Sequence, residues 1–123
     1  MLSVGIDLIE IHRIERSLQN DYFIKRVFGE HEIAELTGRS YPPESAAAAF
    51  AAKEAFSKSI GTGVKGFSLT EVELLHDENG APYLLLSGKA KQIANEKRFG
   101  FSVSISHTRE LATAIVIAFH KGA

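Results

Sequence analysis

The segment from residue 42 to residue 61 constrains the fold more than any other part of this 123-residue chain. It opens with Pro42-Pro43, and proline suits the first turn of a helix. Glu44 in that turn complements the positive end of the helix dipole. Residues 45–60 are rich in alanine, the strongest helix former, and Gly61 is a typical C-cap residue. The sequence therefore predicts one long helix that ends at residue 60.

Strands are predicted where apolar and polar residues alternate. The clearest case is residues 101–106, where three apolar residues alternate with three serines. The other stretches with strand character are residues 2–8, 64–76, 82–87 and 112–119, the last with Ile115, Ile117 and Phe119 on one face. Short turns at residues 77–80 and 107–110 join the strands of two pairs, so both pairs are expected to be antiparallel.

Shorter helices fill the remaining segments. Ile11, Ile14 and Leu18 recur at helical spacing, with a polar stripe beside them that contains Arg13 and Arg16. Further helical stretches are residues 22–28, 30–36 and 88–98, the last of them basic. The predicted class is α+β, with an antiparallel sheet packed against a long alanine-rich helix and shorter helices. No linker or repeat divides the sequence, so we expect a single domain over residues 1–123.

Composition excludes several functional classes. The net charge of −1 argues against extensive nucleic-acid binding. The absence of cysteine excludes disulfide scaffolds, thiolate metal sites and a cysteine nucleophile. No apolar run approaches the ~20 residues that a membrane span needs. The N-terminus has no basic region before its apolar residues, so we expect no signal peptide and a cytoplasmic location.

Two carboxylates and a lysine form the most informative candidate site. Glu54 and Lys58 are four residues apart on the predicted long helix, which by itself is typical of a surface ion pair. Asp7 ends the first predicted strand and adds a second carboxylate. Two carboxylates with a nearby lysine suit a hard cation such as Mg²⁺ together with phosphate groups. Sequence spacing does not show that Asp7 and Glu54 meet.

Two further segments have both a structural and a functional interpretation. Residues 61–66 match the glycine pattern of a dinucleotide-binding loop, but they close a helix instead of opening one, so a C-cap loop is the better interpretation. Ser104-Ile105-Ser106-His107-Thr108 ends a strand in a polar cluster, which predicts either turn chemistry or contacts to a phosphate or ribose. A Ser-His-Asp hydrolase is an alternative, although the chain has no G-x-S-x-G elbow.

Five motifs in the same order resemble the short holo-acyl-carrier-protein synthases, a family of 4′-phosphopantetheinyl transferases. The resemblance covers nearly the whole chain. Its motifs are Gly5-Ile6-Asp7 followed by Arg13-Ile14, Phe50-Ala51-Ala52-Lys53-Glu54-Ala55-Phe56-Ser57-Lys58, Gly61-Thr62-Gly63, Gly80-Ala81-Pro82-Tyr83 and Ser104-Ile105-Ser106-His107-Thr108.

This resemblance implies transfer of 4′-phosphopantetheine from coenzyme A to a serine of apo-acyl carrier protein, releasing adenosine 3′,5′-bisphosphate and supporting fatty acid biosynthesis. It implies that Asp7 and Glu54 ligate Mg²⁺ and that Lys58 contacts the transferred phosphate. It also implies a homotrimer with sites between subunits. The residues expected at the coenzyme are Lys58, Gly61, Gly63, Pro82, Ser106, His107 and Thr108, and those expected to bind the acidic carrier protein are Arg13, Arg16, Lys25 and Arg26.

One departure from the family pattern concerns the coenzyme. Family members often carry arginine before the aromatic residue of the helix motif, where this chain has Ala49, and basic residues where it has Pro42 and Pro43. Arg39 is the candidate substitute for contacts to the 3′-phosphate. Weaker coenzyme A binding, or relaxed selectivity for that phosphate, is expected from this departure.

Several alternatives stay open at the level of sequence. A nucleotide-binding module would also use a glycine loop and flanking lysines, whereas paired carboxylates favour an enzyme. A purely structural subunit would leave Asp7, Glu54 and Lys58 without a joint role. Either Glu54 or a water on the metal could accept the proton of the acceptor serine. The preferred carrier protein and the acceptance of acylated coenzyme A are not determined.

Overall fold

The long helix lies against a three-stranded antiparallel sheet, and a separate hairpin and four shorter helices surround this pair. The computed structural model describes residues 2–63 and 65–122. In chain order the elements are β1 (Leu2–Glu10), α1 (Ile11–Ser17), α2 (Asp21–Val27), α3 (Glu30–Gly38), α4 (Pro43–Ser59), a 3₁₀ helix (Leu69–Glu71), β2 (Val72–His76), β3 (Pro82–Leu86), α5 (Gly88–Lys97), β4 (Phe99–His107) and β5 (Leu111–His120).

The main sheet has the strand order β1-β5-β4, so the last strand is central and the first lies at an edge. Asp7 pairs with Ala114, which in turn pairs with Ile105 on β4. The strands β2 and β3 form a second, two-stranded sheet. The predicted α+β class with antiparallel sheets is confirmed. None of the helices in the described part of the chain is long and apolar enough to cross a bilayer.

The predicted strand over residues 64–76 is wrong for its first part. Only Val72–His76 forms a strand, and it is preceded by the 3₁₀ helix. Val64 lies outside the described residues. The alternation before residue 72 does not produce a strand because Gly63 and Gly66 adopt φ angles of 62° and 86°, which turn the chain instead of extending it.

The turn predicted between the two hairpin strands is present. The N–H of Gly80 donates to the carbonyl of Asp77, and the N–H of Asp77 donates to the carbonyl of Ala81, both at 2.9 Å. Gly80 has a φ of 83°, as a three-residue hairpin loop with a left-handed last residue requires. The Asp77 side chain supports the turn by accepting from the N–H groups of Asn79 and Ala81.

Small residues allow α4 to pack directly on the sheet. The inner face of β5 is fully buried and consists of Ala112, Ala114, Val116 and Ala118. On β1, a Cβ at Gly5 would overlap the carbonyl oxygen of Ala55 and lie 2.7 Å from the backbone nitrogen of Ser59. Glycine is therefore required at position 5, because the strand and helix backbones touch there.

The outer face of β1 and β5 remains exposed and is mostly apolar. Leu2, Val4, Ile6 and Leu8 of β1 are 71%, 57%, 58% and 63% exposed. Ile115, Ile117 and Phe119 share one face of β5, as predicted, and this face is the outer one. Each of these β5 residues pairs across to Ile6, Val4 or Leu2 on β1. The chain thus carries a contiguous apolar surface that no described element covers.

Opposite the sheet, Lys53 ties α4 to α3 and β2. Its side chain is fully buried and pairs with the carboxylate of Glu32, and it also donates to the carbonyl of Val72 at 2.6 Å. Glu32 accepts further hydrogen bonds from the N–H groups of Gly29 and Leu74 at 3.0 and 2.7 Å. Burial lowers the pKa of Lys53 and raises that of Glu32, whereas their mutual attraction opposes both shifts. The hydrogen bonds within the pair and to the backbone offset part of the cost of burying these two groups.

Glu73 completes this connection from β2. Its carboxylate accepts from the N–H groups of His31 and Glu32 at 2.7 and 2.9 Å, at the N-terminus of α3. A carboxylate suits the positive end of a helix. Its second oxygen lies 2.9 Å from Nδ1 of His31, and this hydrogen bond raises the pKa of the imidazole.

We expect Lys53→Met to destabilise the protein by about 3–5 kcal/mol, because it leaves the Glu32 carboxylate buried without its cation. Unfolding in urea measures this loss. Lys58→Met on the same helix, where the side chain is 53% exposed, is the matched control and should cost less than about 1 kcal/mol. A Lys53→Met protein as stable as the control would show that the buried pair does not hold α4 in place.

Candidate active site

The geometry of β1 brings Asp7 to α4. Residues 3, 5, 7 and 9 of the strand face the helix because side chains alternate along a strand, and Gly5 lets the two backbones meet. Ser3 lies two residues before Gly5, and its hydroxyl donates to the carbonyl of Ser59 at 2.6 Å. Two residues after Gly5, Asp7 therefore lies beside the last turns of α4, where Glu54 and Lys58 project.

Lys58 connects the helix to the strand. Its ammonium donates to the carbonyl of Ile6 at 2.9 Å and lies 3.3 Å from Oδ1 of Asp7. The Asp7 side chain is 18% exposed and that of Lys58 is 53% exposed, so the contact lies at the edge of the sheet and is open to a ligand. The ion pair expected between Glu54 and Lys58 is replaced by one between Asp7 and Lys58.

Glu54 shares this environment. Its partial burial raises its pKa, the negative charge of Asp7 raises it further, and the Lys58 ammonium offsets part of the shift. Lys58 contacts Asp7 and lies one helical turn after Glu54, so both carboxylates neighbour this lysine. The sequence could not establish the contact between Asp7 and Lys58, and the structure does.

This donor set fits Mg²⁺. Among residues 2–63 and 65–122, no group of three or more histidine, aspartate or glutamate side chains is arranged to hold a metal ion. Asp7 and Glu54 supply two carboxylates, and Mg²⁺ commonly takes one or two from the protein and completes its octahedron with water and phosphate. A divalent cation would also relieve the repulsion that raises the pKa of Glu54.

The glycine loop after α4 is a helix ending. Gly61 and Gly63 have φ angles of 78° and 62°, and a Cβ at either position would meet no described atom within 4 Å. The glycines are therefore needed for the left-handed turn and not for a close approach within the chain. This agrees with the C-cap interpretation, and it leaves the backbone beside Lys58 accessible.

The polar cluster at the end of β4 divides into three parts. Ser106 lies on the outer face of the sheet, paired with Thr113. His107 lines a cavity of about 540 Å³, together with Gly80 of the hairpin and Arg39 at the end of α3. Thr108 accepts from the N–H groups of Glu110 and Leu111 at 3.3 and 3.1 Å, which is the turn chemistry predicted for it.

Within one chain, the cluster of Asp7, Glu54 and Lys58 lies apart from the polar cluster at the end of β4. Asp7 belongs to β1 and His107 to β4, the two edge strands, with β5 between them. The cavity that His107 lines contains none of the three residues Asp7, Glu54 and Lys58. Pro82 opens β3 in the hairpin next to this cavity, opposite His76. The residues expected to share a site thus form two separate half-sites.

The basic residues predicted to bind a partner are all exposed. Arg13 and Arg16 lie on the outer side of α1, whose Ile11 and Ile14 are buried. On α2, the guanidinium of Arg26 donates to the hydroxyl of Tyr22 at 2.9 Å, which raises the pKa of the arginine. Tyr22 and Arg26 line a groove of about 460 Å³, whose other lining residues include Lys25, Val27, Phe67 and Leu69.

The sequence did not reveal the roles of two organising residues, and it gave a third residue only a substitute role. Lys53 and Glu32 form the buried pair described above, and a lysine within a run of buried alanines was the available signal. Arg39 was named only as a substitute, and the structure shows it in the cavity with His107. Ala49, by contrast, is buried in the core, so its position contributes nothing to that cavity directly.

Comparison with known proteins supports the motif resemblance. The family model of the 4′-phosphopantetheinyl transferase superfamily matches residues 3–116. The holo-[acyl-carrier-protein] synthase of Fusobacterium nucleatum is 40% identical over 119 residues, which cover 95% of this chain and 98% of that protein. The Clostridium beijerinckii protein of the same name is 43% identical over 118 residues, covering 95% and 96%.

Solved structures of similar proteins share the fold. The holo-(acyl-carrier-protein) synthase of Bacillus anthracis in complex with CoA (3′,5′-ADP) superposes with a TM-score of 0.80 at 36% identity, covering 97% of this chain and 96% of that one. The Neisseria meningitidis enzyme gives a TM-score of 0.88 at 29% identity, covering 95% and 97%.

We expect Glu54→Gln to stabilise the isolated fold at neutral pH in the presence of a chelator. A raised pKa means that folding disfavours the ionised carboxylate. The gain should be near zero below the ordinary value of 4.5, where the group is protonated in both states, should grow as the pH rises from there towards the raised folded pKa, and should level off above it. Thermal unfolding from pH 4 to pH 8 measures it.

The matched control is Glu78→Gln, which removes one carboxylate from the exposed β2–β3 turn and changes the net charge equally. If Glu54→Gln and Glu78→Gln follow the same pH profile, burial and Asp7 do not disfavour the charge on Glu54.

Proposed function

Since the chain belongs to the holo-[acyl-carrier-protein] synthase family within the 4′-phosphopantetheinyl transferase superfamily, we propose that it transfers 4′-phosphopantetheine from coenzyme A to a serine of an apo-acyl carrier protein. The products are holo-acyl carrier protein, as used in fatty acid biosynthesis, and adenosine 3′,5′-bisphosphate. The observation that carries this proposal is the convergence of Asp7, Glu54 and Lys58 at the edge of the sheet.

This arrangement suits phosphoryl transfer, which needs positioning and neutralisation of charge more than covalent catalysis. Asp7 and Glu54 would hold Mg²⁺, which supplies charge neutralisation at the pyrophosphate. Lys58 would contact the phosphate that is transferred and stabilise the charge that develops on it. Either Glu54 or a water on the metal would accept the proton of the acceptor serine.

We assign the nucleotide end of coenzyme A to the cavity of about 540 Å³. Its lining includes His107 and Arg39, both able to donate hydrogen bonds to phosphate. Arg39 would supply the positive charge that family members often carry as an arginine at the position of Ala49. Ser106, Thr108 and Pro82 lie around this end of the sheet and hairpin, and Gly61 and Gly63 would border the part of the coenzyme near Lys58.

Two features of the single chain support a homotrimer with sites between subunits. The outer face of β1 and β5 is apolar and exposed, and exposed apolar patches of this kind mark interaction surfaces. The half-site of Asp7, Glu54 and Lys58 and the half-site of His107 do not share a cavity within one chain. Packing of copies through the outer face would give each half-site a complement.

Mass spectrometry of apo-acyl carrier protein tests the proposal directly. Incubation with this protein, coenzyme A and Mg²⁺ should add one phosphopantetheine group to the carrier protein, and a chelator or Asp7→Asn should prevent it. A nucleotide-binding module would bind coenzyme A without any change in carrier mass. If the carrier stays unmodified under conditions in which coenzyme A binds, the transferase proposal is wrong.

Mixed oligomers should regain activity that each parent lacks. If Glu54 and His107 serve one site from different chains, an oligomer of Glu54→Ala and His107→Ala subunits contains some sites with neither substitution. We expect turnover well above that of either variant after the two are unfolded, mixed and refolded together. A monomer in sedimentation that is fully active at the same concentration would contradict this arrangement.

Reversal of two charges tests the docking surface for the carrier protein. Arg13→Glu with Arg16→Glu should raise the apparent KM for carrier protein at least about tenfold at low salt, because attraction to an acidic partner becomes repulsion. The apparent KM for coenzyme A should barely change. Salt should weaken carrier binding in the unmodified protein, since exposed charges are screened over ~8–10 Å.

Lys91→Glu with Lys97→Glu on α5 is the matched control, since it makes the same change in net charge on another exposed helix. An equal rise in the KM for carrier protein in this control would mean that overall charge, and not the α1 surface, governs association. An equal loss for both substrates would indicate a damaged fold, which circular dichroism would reveal.

A further inference from the structure

Asp7 is held from two sides through the peptide groups that flank it. The carbonyl of Ile6, just before Asp7, accepts from the Lys58 ammonium at 2.9 Å. The carbonyl of Asp7 itself accepts from the hydroxyl of Thr113 on β5 at 2.7 Å. Two peptide planes fix the backbone angles of the residue between them, and these angles set the direction of the Cα–Cβ bond. The two contacts therefore help to fix the direction in which the Asp7 side chain leaves the strand.

Thr113 differs from the other outward residues of β5 and from its partner on β1, although its partner on β4, Ser106, also carries a hydroxyl. The other outward residues that follow it on β5 are Ile115, Ile117 and Phe119, which are apolar. Its partner on β1 is Leu8, also apolar and 63% exposed. A valine would suit this surface and would have a high strand propensity. The Thr113 hydroxyl is bonded to the backbone of the residue that would hold the metal, and this contact indicates a role beyond sheet formation.

We propose that Thr113 is a positioning residue for Asp7. Its hydroxyl fixes the peptide group that follows Asp7 and so directs the carboxylate across the sheet edge towards Glu54 and Lys58. Thr113 itself does not reach the reacting groups, because its side chain lies on the outer face while that of Asp7 faces α4. The inference deepens the proposed function, since it depends on Asp7 and Glu54 holding a divalent cation.

The test is the affinity of the coenzyme-free protein for Mg²⁺, measured by calorimetry. Thr113→Val keeps the shape of the side chain and removes the hydroxyl. We expect about a tenfold loss of affinity, because groups that orient a metal ligand typically contribute 10–100-fold. The KM for Mg²⁺ in the transfer reaction should rise by a similar factor, with the KM for coenzyme A unchanged at saturating Mg²⁺. Thr113→Ser should restore the original affinity to within about twofold.

The control Ser102→Val removes a hydroxyl from the same outer face, next to Ile117 and away from Asp7, and should leave Mg²⁺ affinity unchanged. Circular dichroism verifies each fold, and Thr113→Ala replaces the valine variant if that variant does not fold. Unchanged Mg²⁺ affinity in a folded hydroxyl-free variant overturns the inference. If Asp7→Asn also binds Mg²⁺ like the unmodified protein, the metal site itself is wrong, so the two failures are distinguishable.

Discussion

The close approach of α4 to β1 is the constraint on which the rest of the structure depends. At Gly5 the strand and helix backbones touch, and no side chain fits between them. The alanines that face the sheet extend this close packing across β5, whose inner face is also made of small residues. A helix held at this distance places Glu54 and Lys58 within reach of a strand residue. Larger residues in this layer would separate the carboxylates and remove the site.

The two lysines of α4 show how burial divides the roles of similar side chains. Lys53 is fully buried and connects three elements through Glu32 and the carbonyl of Val72. A buried ion pair adds little net stability compared with an apolar replacement, but losing one partner is costly. The pair therefore acts mainly to fix how α3 and β2 dock on α4. Lys58, five residues later, is half-exposed and free to exchange its contacts for those of a ligand.

Local signals in the sequence were enough to locate most elements. Pro43 and Gly61 mark the ends of α4, Gly80 marks the hairpin turn, and the serine alternation marks β4, because each of these depends on neighbouring residues only. The errors concern long-range packing. Residues 65–71 have an alternating pattern, but the glycines around them turn the chain. The outward orientation of Ile115 was not predictable. Both faces of β5 are apolar, so alternation along the strand does not indicate which face α4 covers.

The candidate site shows the same contrast between local signals and long-range packing. Glu54 and Lys58 were placed on one helix face from spacing alone, whereas the meeting with Asp7 depends on Gly5 and on contacts about fifty residues apart in sequence. Lys53 was overlooked because a lysine beside a glutamate on a helix is usually solvated, and its partner Glu32 belongs to a different helix. Local patterning identifies chemical groups, and only tertiary packing decides which of them meet.

The two faces of the sheet together explain how so small a domain could serve an extended substrate. The inner face is filled by α4, and at the margins of this helix Arg39 and His107 line a cavity while Asp7 and Lys58 border a separate surface. The cavity contains neither Asp7 nor Lys58. The apolar outer face offers association with further copies as the physical route to a larger enclosure, because burying it is favourable in proportion to its area. On this view the surface that drives assembly and the residue that orients Asp7 lie on the same strand, β5, so assembly and the geometry of the cation site would depend on one another.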